Sequence, residues 1–150
     1  MGDRKRIILD THGRKLEHIF APEDLQRVRD AADIVWGRDE PMPEAEWDGV
    51  REDVSAIVTG WWRYGDVKRF PKLEAVLEVS GGPPNPKSLD YDHCFATGIK
   101  VLSCAPAFGP AVAELALALA LASTRHVVDC HVDFTQGREQ FLHDGGAPGS

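Results

Sequence analysis

The chain has 150 residues, enough for one domain with an appended element. Hydrophobic residues make up 43% and charged residues 27%, the usage of an ordinary globular protein. Acidic residues (24) outnumber Lys plus Arg (17), giving a net charge of −7, and the only basic cluster is Arg4, Lys5 and Arg6. Such a chain would repel the phosphates it had to neutralise, which excludes a nucleic-acid binder.

The opening MGDRKRIILD has too short an apolar run for a signal peptide. No stretch offers the ~18 uninterrupted apolar residues expected of a membrane span. Cys94, Cys104 and Cys130 are odd in number and lack CxxC spacing, so neither a disulfide framework nor a zinc knuckle is indicated. A reducing cytoplasm is the expected compartment.

Strand-like runs alternate with helix-compatible stretches. Ile7 to Leu9 is a short apolar run ending at Asp10, Thr11, His12 and Gly13. Pro22 to Ala32 predicts a helix, with Pro at its start and Leu25, Val28 and Ala32 at helical spacing. Ile34 to Trp36 is a second strand, stopped by Gly37. Pro43 to Val50 predicts a short helix whose Glu44 and Glu46 suit its positive first turn. Ala56 to Thr59 is a third strand, followed by Gly60, Trp61 and Trp62. A helical turn at Val67 to Phe70 precedes a fourth strand, Leu73 to Val79, which Ser80, Gly81, Gly82, Pro83 and Pro84 stop. Leu89 to Thr97 predicts a helix closed by Gly98. Ile99 to Leu102 is the fifth strand, and a long helix is expected from about Pro110 to Val128.

Strands separated by helices imply right-handed crossovers and a parallel sheet covered on both faces. Five of them fit an α/β, flavodoxin-like, doubly wound sheet of order 2-1-3-4-5, with a long helix following it. Ligands of such sheets sit at the carboxyl ends of the strands. The candidate loops are therefore 10–13, 60–64, 80–86 and 104–110.

Residues 111–122 read AVAELALALALA, with Glu114 as the only charge. Leu115 and Leu119 share one face. Leu117 and Leu121 share another, because residues two apart are turned by about 200°. Exposing one pair would forgo about 3–6 kcal/mol of burial. One pair is therefore expected to pack on this fold and the other on a further domain or a second copy of the chain.

Three segments carry a resemblance: FPKLEAVLEVSGG (70–82), TGIKVLSCAPAFGPAVAELALALALASTR (97–125) and QGREQF (136–141). Gly98-Ile99, Val101, Pro106 and Val112-Ala113-Glu114 stand at the spacing seen in the D-isomer-specific 2-hydroxyacid dehydrogenases, a phosphoglycerate dehydrogenase-like family that this sequence resembles. The resemblance implies a substrate-binding domain at 1–109 and an interdomain crossover helix with a short helical segment at 110–143. It also implies a linker at 144–150, truncated before a Rossmann domain. A GxGxxG cofactor fingerprint occurs nowhere in the 150 residues. NAD or NADP is then bound mainly by an absent domain, with Phe108, Gly109 and Val112 on its near side. The family's catalytic arginine, glutamate and histidine lie in that later half, so no catalytic residue is expected here.

The resemblance assigns the substrate carboxylate to backbone N–H groups of Ser80, Gly81 and Gly82, where glycine permits close backbone approach. The family commonly has G-x-G in this loop; here the glycines are adjacent and PPNPK lengthens the loop, so the particular hydroxy acid does not carry over. Trp61, with Trp62 and Tyr64, either lines the substrate pocket or packs its rim. Arg63 either pairs with an anionic substrate or, the favoured reading, is a solvated surface arginine, and His12 reads as a residue at the pocket mouth. His126, Cys130 and His131 bring at most two ligands together, so no metal is expected. The alternative to a dehydrogenase half is a stand-alone flavodoxin-like interaction module that self-associates through Leu115, Leu117, Leu119 and Leu121.

Overall fold

The computed structural model describes residues 4–138. Five strands form one parallel sheet: β1 (Lys5–Asp10), β2 (Ala32–Gly37), β3 (Val54–Thr59), β4 (Ala75–Glu78) and β5 (Lys100–Ser103), in the order β2-β1-β3-β4-β5. This is the expected doubly wound arrangement. Helices α1 (Leu16–Ile19) and α2 (Pro22–Ala31) join β1 to β2, and α3 (Glu44–Val50) joins β2 to β3. A 3₁₀ turn (Val67–Arg69) precedes β4, and α4 (Tyr91–Thr97) joins β4 to β5. The short α1 had no periodic signal in the sequence. Gly98, left-handed at φ 80°, closes α4 as its position suggested.

The strand register explains where the core sits. Ile8, Ile57, Val76 and Val101 are paired neighbours across four strands and point to one face. Trp47, Trp62, Tyr64, Val67, Phe70, Leu89 and Cys94 pack there with them. One pleat further along, the same face carries Asp10, Thr59, Glu78 and Ser103. A polar row thus terminates the apolar one at the carboxyl end of the sheet, and Asp10, Thr59 and Glu78 are all buried. On the opposite face lies the row Leu9, Val58, Leu77 and Leu102. It passes from fully buried Leu9 to Leu102 at 51% exposure on the edge strand.

The final helices depart from the sequence reading. The long helix α5 runs Ala105–Thr124 rather than starting at Pro110, so 104–110 is not a loop and Phe108 and Gly109 are helical. Ser103 Oγ accepts a hydrogen bond from Ala105 N–H at 3.3 Å at the start of the helix. Pro106 is tolerated in the first turn, where no N–H is needed. Pro110 remains inside, without an N–H for the carbonyl four residues back. The helix stops before Val128, because His126 adopts a left-handed conformation (φ 52°) and α6 (Val127–Thr135) begins after it.

Two compact units divide between Gly109 and Pro110. Helix α5 is long and apolar enough to cross a membrane by length and composition alone, although it holds no uninterrupted apolar run of that length. Gly109, Pro110 and Glu114 break the runs without lowering the average enough. Leu115, Leu117, Leu119 and Leu121 are 55–62% exposed among the described residues. Residues 144–150, expected to be a linker, lie outside the described residues.

Candidate functional site

The carboxyl ends of β1, β3 and β4 bring three loops together. Thr59 pairs with Asp10 on one side and Glu78 on the other, and Val79 N–H donates to the Thr59 carbonyl at 2.9 Å. Residues 60–64 and 79–82 therefore leave the sheet side by side. Gly60 lies under the 11–14 turn: a Cβ there would come within 2.9 Å of the Thr11 carbonyl oxygen and 3.0 Å of His12 Cβ. Only glycine allows that turn to cross the end of β3.

Asp10 is fully buried. Its Oδ2 accepts from Tyr64 Oη at 2.7 Å and from Met42 N–H at 3.2 Å, and it lies 3.9 Å from Arg63 Nε. Oδ1 has no partner among the described residues. Burial first, then the hydrogen bond to Asp10 and its charge, push the Tyr64 phenol far above its usual range. Arg63 is not a solvated arginine: it is committed to Asp10 and to the Met42 carbonyl.

His12 is buried rather than at the pocket mouth. Thr59 Oγ donates to the Trp61 carbonyl at 2.8 Å, so Thr59 receives its other bond from His12 Nε2–H, also at 2.8 Å. Burial lowers the His12 pKa and the Arg63 charge lowers it further; Asp10, and less strongly the Trp61 carbonyl, act in the opposite direction. The neutral ring lies beneath the Trp61 indole. Of the three aromatic candidates, only Trp61 is exposed (56%); Trp62 and Tyr64 belong to the core with Trp47 and Phe70. An open cleft of about 480 Å³ is lined by Trp61, Arg63, Glu44, Trp47, Gly65 and Arg69.

The 79–82 loop is tied down through its carbonyls. Cys104 N–H lies 3.2 Å from the Glu78 oxygen and 3.0 Å from the Ser80 oxygen. Arg14 Nη1 donates to the Val79 carbonyl at 2.7 Å. Ser80 Oγ bonds to Glu78 Oε1 and lies 3.0 Å from the Gly82 carbonyl, while Gly82 N–H reaches Ser80 Oγ only at 3.5 Å. No hydrogen bond engages the N–H of Ser80 or Gly81 among the described residues. Carbonyls held back and amides left free give the loop a net donor character. Behind it Glu78 is only 8% exposed, and its Oε2 has no partner among the described residues.

Phe108 is half exposed, and its ring lies 3.7 Å from where a Cβ on Gly81 would stand. Gly109 and Val112 are exposed. These three residues offer no phosphate cradle. Among the described residues no group of three or more His, Cys, Asp and Glu side chains could hold a metal. Sequence reasoning passed over Arg14, Thr59 and Glu78. For Thr59 and Glu78 a signal existed, a polar residue ending an apolar strand; for Arg14 there was none.

No model of a known protein family matches the sequence, and no curated protein matches it. Solved structures do. One is a phosphoglycerate oxidoreductase from Rhizobium etli, with 24% identity, a TM-score of 0.63 and coverage of 98% of this chain and 45% of that one. Another is an NADPH-dependent glyoxylate/hydroxypyruvate reductase from Sinorhizobium meliloti in complex with citrate, with 23% identity, a TM-score of 0.52 and coverage of 97% and 42%. This chain therefore has the fold of part of these oxidoreductases and spans less than half of their length.

Proposed function

We propose that this chain is the substrate-binding part of an NAD(P)-dependent oxidoreductase interconverting a D-2-hydroxy acid and its 2-keto acid. The observation that carries this reading is the 79–82 loop, whose Ser80 and Gly81 amides have no partner among the described residues while its carbonyls are tied back. A carboxylate is the natural acceptor for such amides. Trp61, at the end of the adjacent strand, borders the rest of the substrate. Phe108, Gly109 and Val112 are assigned to the nicotinamide side. NAD or NADP would supply the hydride. This reading places its phosphate cradle, and the acid–base pair, outside these 150 residues, and places the protein in solution in the cytoplasm.

The test is an amide-resolved NMR titration with pyruvate, hydroxypyruvate and phenylpyruvate, alongside uncharged pyruvamide. The acids are expected to shift the Ser80 and Gly81 amides and the pyruvamide to leave them in place. If no acid moves them, the loop is an ordinary turn. With NADH and the same acids the chain alone is expected to show no turnover; measurable oxidation would place the cofactor site within it.

The exposed leucines favour a second reading, a module that associates through α5 with a second copy or a further domain. Sedimentation of the chain over a hundredfold concentration range is expected to show a dimer that Leu117→Glu abolishes. A monomer at every concentration counts against self-association.

A further inference from the structure

Two observations point to an unassigned ligand group at this loop, and both rest on the carboxylate reading just given. The first is an electrostatic deficit. A carboxylate held by the Ser80 and Gly81 amides would have as a near neighbour in the chain Glu78, a buried carboxyl whose Oε2 has no partner among the described residues. Backbone dipoles alone would work against that neighbour.

The second is Arg14. The turn that carries it is shaped for the purpose: His12 and Gly13 are both left-handed (φ 49° and 72°), and the Thr11 hydroxyl donates to the Arg14 carbonyl. The side chain donates Nη1–H to the Val79 carbonyl at 2.7 Å. That bond fixes the guanidinium beside the residue that immediately precedes Ser80. Successive Cα atoms are about 3.8 Å apart, so the free amides lie within one or two residues of the anchor. Arg14 makes no ion pair among the described residues, unlike Arg4, Arg6, Arg27, Arg51, Arg63 and Arg69. One of its five donors is used and the rest remain, in a planar fork that matches a carboxylate.

We infer that Arg14 is a substrate-binding residue: its guanidinium, held by Val79, pairs with the carboxylate that the Ser80 and Gly81 amides receive and offsets the neighbouring Glu78.

The test uses oxamate, a non-reactive 2-keto acid mimic, titrated into the full chain while the Ser80 and Gly81 amides are followed by NMR. Arg14→Ala is expected to weaken oxamate at least tenfold, and Arg14→Lys, which keeps the charge but loses the fork, to fall between. Lys15→Ala, one residue away and paired to Glu17 at 3.5 Å, is expected to bind like the original chain. Circular dichroism establishes that each variant is folded. If Arg14→Ala binds as tightly as the original, or Lys15→Ala weakens binding as much, the inference is wrong while the loop reading stands. If oxamate leaves the loop amides of the original chain unmoved, the loop reading fails and this inference with it.

Discussion

The imidazole of His12 lies parallel to the indole of Trp61, with ring centroids 4.1 Å apart and planes inclined by 22°. The pair joins the buried polar row to the exposed aromatic rim, and its lower member titrates. Burial holds the His12 pKa below the ordinary 6.5, with Asp10 and Arg63 as its charged neighbours. Below pH 6.5 the unfolded chain takes up a proton that the folded chain resists, so stability is complete above that pH and is lost as pH falls through it. The thermal midpoint is expected to drop between pH 7 and 5 more steeply in the original protein than in His12→Gln. Parallel curves would mean that His12 does not contribute.

Tyr64 and Asp10 make the second test. The phenol is fully buried and its Oη donates to Asp10 Oδ2 at 2.7 Å. Tyr64→Phe keeps the ring packing against Trp47 and Trp62 but leaves a buried carboxyl with one donor fewer. A loss of about 1–3 kcal/mol is expected in urea unfolding, with the slope unchanged. A loss near zero would show that Arg63 and Met42 satisfy Asp10 without help.

Gly60 is the third. An added Cβ would press on backbone at Thr11, which cannot yield as a side-chain end can. Gly60→Ala is expected to destabilise the fold by about 1–3 kcal/mol. It should also displace the 11–14 turn. Loss of the Arg14–Val79 bond in a crystal structure of the variant would confirm the displacement; an unmoved turn would show that β3 gives way instead.

Much of this protein was written in local pattern. Short apolar runs such as Ile7–Leu9 and Ala56–Thr59, each stopped by glycine or polar residues, marked five strands, and the intervening helices required a parallel sheet. The Ser80–Gly82 loop was legible as a break after a strand, and residues 111–122 as an almost wholly apolar helix. Those features depend on neighbours a few residues away, and periodicity reports them directly.

Tertiary structure decided the rest. The row Asp10, Thr59, Glu78 and Ser103 exists only because the register aligns four polar strand ends, and no single strand reveals it. Trp61, Trp62 and Tyr64 look alike in sequence; the direction in which the chain leaves β3 sends Trp61 outward and the other two into the core. Arg14 and Val79 are 65 residues apart. Their contact depends on a left-handed turn passing over a glycine, a geometry fixed by sterics between segments and by nothing within either one.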